Sequence, residues 1–181
     1  MMEEQTIHSK TVFRGKVVSL RLEEVQLPDG RTTTREIVEH PGAVAVIPLL
    51  NSGEIAMVKQ YRKPVGKVLY ELPAGKLERG EEPLNCARRE LLEETGLTAS
   101  QITKLLEFYT TPGFSDEVMH LYLATGLEQG EQRLDSDEFL QLERFPLATL
   151  LKMVREGQIQ DAKTIIGLLW LANKNCLGEK R

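Results

Sequence analysis

The sequence predicts a mixed-sheet α/β sandwich preceded by a small antiparallel β segment. Two apolar runs, AVAVIPLL and IAMVKQYR, flank the turn residues Asn51-Ser52-Gly53, and their character is typical of strands buried on both faces. A helix is predicted from Pro83 to Thr95, because proline favours the first turn and Gly96 follows the last. Strands on either side of this helix and helices at the end of the chain complete the predicted fold.

The first part of the chain reads as strands from about Thr11 to Glu39, joined at Pro28-Asp29-Gly30. Residues 1–42 are therefore predicted to form a separate N-terminal β segment, and residues 43–181 the main domain. After the first helix, strands are predicted at ITKLLEFYT, VMHLYLAT and FLQLERF. Helices follow near Leu147 to Glu156 and Ala162 to Asn173, and Asp161 is expected to cap the second.

Composition excludes several classes of protein. The 181 residues suit one domain with a small appendage, and the net charge of -4 argues against a broad nucleic-acid surface. Cys86 and Cys176 make neither a disulfide framework nor a metal-binding spacing. The N-terminus lacks the apolar core of a secretory signal, and the run IIGLLWLA is shorter than a membrane span. We therefore expect a cytoplasmic protein without a membrane partner.

The first helix carries a cluster of carboxylates, Glu90, Glu93 and Glu94. Residues four apart share a helix face, so the like charges repel one another unless a hard cation such as Mg²⁺ binds between them. Arg89 can contact Glu93 from four residues away. An adjoining apolar face is expected to bury the helix through Leu84, Ala87 and Leu91. Taken alone, the cluster is also compatible with a solvated acidic helix.

The wider pattern favours a metal site over a solvated helix. It runs from Gly75 through Glu81 to Arg89-Glu90-Leu91-x-Glu93-Glu94-x-Gly96-Leu97. This pattern resembles the Nudix box at every defining position, and the resemblance covers roughly Ala43 to Asn173. It implies a Nudix-type α/β/α sandwich and hydrolysis of a nucleoside diphosphate linked to another group.

The resemblance also implies roles for residues of the box. Glu90 and Glu94 would be the leading metal ligands, Glu93 a contributor, and the carbonyl of Ala74 a further oxygen ligand. Arg89 would hold the carboxylates in place. Mg²⁺ is the expected cofactor, with Mn²⁺ as a substitute.

A narrower resemblance, to the ADP-ribose pyrophosphatases, rests on features outside the box. These are REIVEHPGAVAVIPL, KQYRKP, ELPAGK and TTPGFSDEVMHLYLA. The last places Pro112 where a proline marks a preference for ADP-ribose. Arg62 would contact phosphate, with a plain surface arginine as its alternative. Glu138 would act as base or additional metal ligand, although Asp135 and Asp137 compete for that assignment and the loop could simply be solvated.

Members of this subfamily are typically homodimers that exchange N-terminal β segments to complete the substrate pocket. Arg35, Glu36 and Glu117 are then candidates for recognising adenosine or ribose. Phe13 or Phe114 could stack on the base, with burial in a core as the alternative for each.

The sequence thus predicts Mg²⁺-dependent hydrolysis of ADP-ribose to AMP and ribose 5-phosphate. One alternative is a Nudix pyrophosphatase for another nucleoside diphosphate sugar or for an RNA 5′ end. Pro112 and the negative net charge of the chain disfavour RNA. A non-catalytic nucleotide-sensing module is a third reading, which the intact box disfavours.

Overall fold

The computed structural model describes residues 2–134 and 139–176, which form two compact units. One unit contains residues 1–42 and 108–118, and the other contains residues 43–107 and 119–181. The hairpin region after residue 107 therefore groups with the N-terminal strands, a feature that sequence order does not reveal.

The N-terminal unit contains a three-stranded antiparallel sheet. Its strands are β1 (Gln5–Arg14), β2 (Ser19–Gln26) and β3 (Thr32–Glu39). The predicted turn at Pro28-Asp29-Gly30 is present, and Gly30 adopts a φ of 87° there. The prediction started at about Thr11, so it missed the first part of β1 and also the turn after it, where the N–H of Gly15 donates to the carbonyl of Val18.

In the larger unit, the residues that the structure describes form two sheets. One has the strand order β10-β5-β6, and the other has β7-β4-β9-β8 with β4 and β9 parallel. The predicted mixed α/β fold with an N-terminal antiparallel segment is thus confirmed. The bounds are β4 (Ala43–Pro48), β5 (Glu54–Arg62), β6 (Lys67–Glu71), β7 (Ala74–Lys76), β8 (Leu97–Tyr109), β9 (Val118–Gln129) and β10 (Leu140–Pro146).

The described residues of this unit form three helices, α1 (Pro83–Thr95), α2 (Leu147–Arg155) and α3 (Ala162–Cys176). Each lies where the sequence predicted it, within a few residues at its ends. Asp161 caps α3 as expected, because its carboxylate accepts a 3.0 Å hydrogen bond from the N–H of Thr164. Within the described ranges, no helix combines the length and the apolar character that crossing a bilayer requires.

The core of this unit holds α1 against β4, β5 and β9. Ala87 and Leu91 are buried in it, as is Cys86. The prediction for Leu84 was wrong, because its side chain is 38% exposed. Leu84 lies in the first turn of α1, before the first buried residue of the helix, Cys86.

Candidate active site

The helix α1 carries the carboxylate cluster into a cavity of about 280 Å³. The helix starts with proline in its first turn and ends at Gly96, whose φ of 68° stops the helix and whose N–H donates to the carbonyl of Leu92. Six of the predicted site residues line this cavity together with Gly75, Lys76 and Glu78. They are Arg62, Ala74, Arg89, Glu90, Glu93 and Glu94.

Arg89 organises the acidic side of the cavity. Its Nη1 donates to Glu90 at 2.7 Å and to Glu93 at 2.9 Å, so the expected contact with Glu93 is present. Its Nε and Nη2 both donate to the carboxylate of Glu81 at 3.0 Å. The hydrogen bonds from Arg89 lower the pKa of Glu81 to about 2, and the same contacts raise the pKa of Arg89.

The other two supports of the cluster come from β7. Glu94 is 2% exposed and accepts a 2.9 Å hydrogen bond from the N–H of Ala74. The carboxylate of Glu90 lies directly over Gly75, where a Cβ atom would overlap it. Glycine is therefore required at residue 75 by close approach and not by a positive φ.

The donor set fits a hard divalent cation. The three acidic side chains of α1 that line the cavity, with Glu78 beside them, offer carboxylate oxygens, the ligands that Mg²⁺ prefers. In the described part of the chain, no three His, Cys, Asp or Glu side chains stand ready to hold a metal ion. Arg89 engages Glu90 and Glu93 instead.

A second cavity, of about 470 Å³, lies within the N-terminal unit. It is lined by Arg35, Glu36, Pro112 and Phe114 among others. Arg35 is held there by Glu4, which accepts a 3.0 Å hydrogen bond from its Nε. The structure therefore brings three predicted substrate-binding residues together with one of the two candidate aromatics.

Two other candidates lie elsewhere in the N-terminal unit. The carboxylate of Glu117 does not line this cavity but accepts a 2.6 Å hydrogen bond from the hydroxyl of Thr110. Phe13 packs beside Gly15 and lies outside the cavity. The alternative that either aromatic belongs to a core was wrong, since Phe13 is 56% exposed and Phe114 is 55% exposed. Glu138 lies outside the described residues, as do Asp135 and Asp137.

Sequence reasoning missed residues that support the site. Glu71 and Lys163 were given no role, yet Glu71 is 1% exposed and pairs with both Arg62 and Lys163. One signal was available, because a glutamate inside the apolar run VLYELPAG is unusual unless it has a buried partner. The partner from α3 could not be identified from the sequence.

Comparison with known families agrees with the site. The profile described as NUDIX domain matches residues 39–166, which include every residue that lines the first cavity. The chain belongs to the Nudix family. A second profile, described as nucleoside diphosphate sugar hydrolase N-terminal domain, matches residues 4–38 of this Nudix chain.

Individual proteins resemble the Nudix chain over nearly its whole length. An ADP-ribose pyrophosphatase of Bacillus subtilis is 48% identical over 178 residues, which cover 97% of this chain and 96% of that protein. A methanol dehydrogenase activator of Bacillus methanolicus is 48% identical over 182 residues, with 99% and 98% covered. A crystal structure of an ADP compounds hydrolase shares the fold with a TM-score of 0.86 at 20% identity, covering 99% of this chain and 97% of that one.

Proposed function

We propose that this protein hydrolyses the diphosphate bond of ADP-ribose to AMP and ribose 5-phosphate, using Mg²⁺ or Mn²⁺. The observation that carries the proposal is a single cavity that holds three clustered carboxylates and Arg62. Carboxylates supply the metal ligands, and a guanidinium supplies paired donors for phosphate oxygens. The choice of ADP-ribose is supported by the pyrophosphatase of B. subtilis, which has this activity in its name.

In the proposed reaction, a water oxygen bonds to one phosphorus of the diphosphate and the bond from that phosphorus to the bridging oxygen breaks. The proton of the water passes to a carboxylate base. When bound, Mg²⁺ supplies charge neutralisation and lowers the pKa of the water. We assign its ligation to Glu90 and Glu94, with contributions from Glu93 and the carbonyl of Ala74.

The remaining roles belong to side chains around these ligands. Arg89 holds Glu90 and Glu93 in position through its hydrogen bonds. Arg62 contacts the diphosphate. Glu138 is the proposed base or extra metal ligand, and Glu138→Gln is then expected to lower turnover. If Asp137→Asn lowers it further, the base is Asp137.

We propose that the N-terminal segment, residues 1–42, supplies substrate recognition and joins two copies of the chain into a homodimer with exchanged segments. Arg35, Glu36, Pro112 and Glu117 would contact the adenosine or ribose. The large exposed apolar side chains of this segment support a partner surface, and they include Ile7, Val12, Phe13 and Val17. Light scattering of the full chain tests the dimer, and a mass equal to one chain would overturn it. We place the protein in the cytoplasm.

The test of the proposed function is hydrolysis of a panel of nucleoside diphosphate derivatives, with Mg²⁺ and with EDTA, the products being separated by chromatography. AMP and ribose 5-phosphate from ADP-ribose, formed only with metal, are the expected result. Metal-dependent cleavage of another nucleoside diphosphate sugar or an RNA 5′ end would replace the substrate and keep the mechanism. No turnover on any compound would favour a nucleotide-sensing module.

A second candidate function is activation of an alcohol dehydrogenase. It is favoured by the methanol dehydrogenase activator of B. methanolicus, which matches this chain as closely as the pyrophosphatase does. The test adds the protein to a methanol dehydrogenase and compares it with the Glu94→Gln variant. Stimulation that disappears in the variant would mean that activation depends on hydrolysis, and no stimulation would remove this candidate.

A further inference from the structure

Arg62 is fixed by a buried carboxylate that the proposed reaction does not use. Its Nε donates to Oε1 of Glu71 at 2.7 Å and its Nη2 donates to Oε2 at 2.8 Å. The Glu71 side chain is 1% exposed, whereas that of Arg62 is 40% exposed and lines the cavity. These two bonds use two of the five N–H groups of the guanidinium, so N–H groups on Nη1 and Nη2 can still donate to phosphate oxygens.

The carboxylate of Glu71 is itself held by a second cation, Lys163. Nζ of Lys163 donates to Oε2 of Glu71 and also to Asp161, at 3.0 Å. The hydroxyl of Thr164 donates to Asp161 at 2.6 Å and accepts a 2.8 Å hydrogen bond from the N–H of Leu72. The start of α3 is therefore tied to Glu71 and to Leu72, at the end of β6.

The cations Arg62 and Lys163 keep the carboxylate of Glu71 ionised. Burial alone would raise the pKa of Glu71, but hydrogen bonds from Arg62 and the charge of Lys163 outweigh burial and lower it. The hydrogen bond with Glu71 raises the pKa of Arg62. Glu71 is therefore a charged, pre-formed anchor for the guanidinium.

Arg62 lines the same cavity as Glu94, one of the proposed metal ligands, and the charge of Glu94 also raises the pKa of Arg62. A guanidinium without its anchor would be drawn toward that carboxylate and away from the diphosphate. We propose that Glu71 and Lys163 are positioning residues, which hold Arg62 ready for the diphosphate of the substrate and keep it from pairing with Glu94. This inference rests on the proposed function of Arg62.

A double-mutant cycle tests whether Glu71 acts through Arg62. The four proteins are the wild type, Arg62→Ala, Glu71→Gln and the double variant. Two quantities are measured, kcat and KM for ADP-ribose with Mg²⁺, and the Kd for inorganic pyrophosphate by calorimetry. The Kd provides a readout that does not depend on which nucleotide is the substrate.

In the wild-type background, Glu71→Gln is expected to raise KM and the pyrophosphate Kd about tenfold, or about 1.4 kcal/mol. In the Arg62→Ala background, the same substitution is expected to change both by less than about twofold, because the residue through which it acts is gone. An equal effect in both backgrounds, or no effect in the wild type, would overturn the inference. If the protein does not hydrolyse ADP-ribose but the pyrophosphate Kd still shows the expected coupling between Glu71 and Arg62, only the proposed substrate is overturned.

Loss of the Glu71 charge can also impair folding, so a second variant changes the other partner of Glu71. Lys163→Met keeps the length of the side chain and removes the charge that holds Glu71, and we expect it to raise the pyrophosphate Kd several-fold with little change in kcat. Lys152→Met is the matched control, since Lys152 pairs with Glu156 on the exposed side of α2, at 3.7 Å. A Kd for Lys163→Met equal to that of Lys152→Met would also overturn the inference.

Discussion

Replacing Gly75 with alanine is expected to slow turnover about 100-fold without unfolding the protein. A Cβ atom at residue 75 would overlap the carboxylate carbon and both carboxylate oxygens of Glu90, and ordinary contact starts only at about 3.4 Å. The carboxylate must therefore move by more than about 1 Å. A displacement of about 1 Å can cost about 10²-fold in rate, equivalent to about 2.7 kcal/mol of activation free energy.

The folded state should tolerate this change. The overlapping atoms belong to the end of a flexible side chain, and Gly75 does not have a positive φ, so alanine strains neither the backbone nor the core. The assay measures kcat and KM for ADP-ribose at saturating Mg²⁺, together with the melting temperature. Turnover close to that of the wild type would refute the reasoning, because it would show that the reaction does not need Glu90 where β7 holds it.

Gly157→Ala is the control with the opposite expectation. Gly157 has a φ of 73° and nothing within 4 Å of its Cβ position. Alanine there should cost about 1–2 kcal/mol of stability through backbone strain alone and leave kcat unchanged. The two variants together separate a loss of geometry at the site from a loss of stability.

Three further predictions concern the same unit. Glu94→Gln should lower turnover by several orders of magnitude at an unchanged melting temperature, and near-native activity would disprove its role as a metal ligand. Glu81→Gln should lower the melting temperature at pH 7, and this difference should disappear as the pH falls from about 4.5, the unfolded pKa, toward the folded pKa of about 2. A difference that stays constant down to pH 2.5 would contradict that cause. Asp161→Ala should remove the cap of α3 and lower the free energy of unfolding, measured in urea, by about 1 kcal/mol. Asp161→Asn should keep most of the wild-type stability, because asparagine also caps helices.

Local spacing was enough to predict the acidic helix. Glu90, Glu93 and Glu94 share one side of α1 because a helix repeats every 3.6 residues, and Gly96 ends the helix because glycine readily adopts a positive φ. The turn between the first two strands was missed for a local reason as well. The turn from Gly15 to Val18 lacks the proline, asparagine or aspartate that marks the turn at Pro28-Asp29-Gly30.

The sequence by itself determined the carboxylate cluster, its neighbouring arginine and the order of most strands and helices, since each depends on residues that are close along the chain. Only the tertiary structure decided which distant groups support that cluster. Lys163 and Glu71 are separated by 92 positions, and nothing local in the chain pairs them. They meet because the fold places the start of α3 beside the end of β6. Water is excluded there, so each buried charge needs an ionic partner.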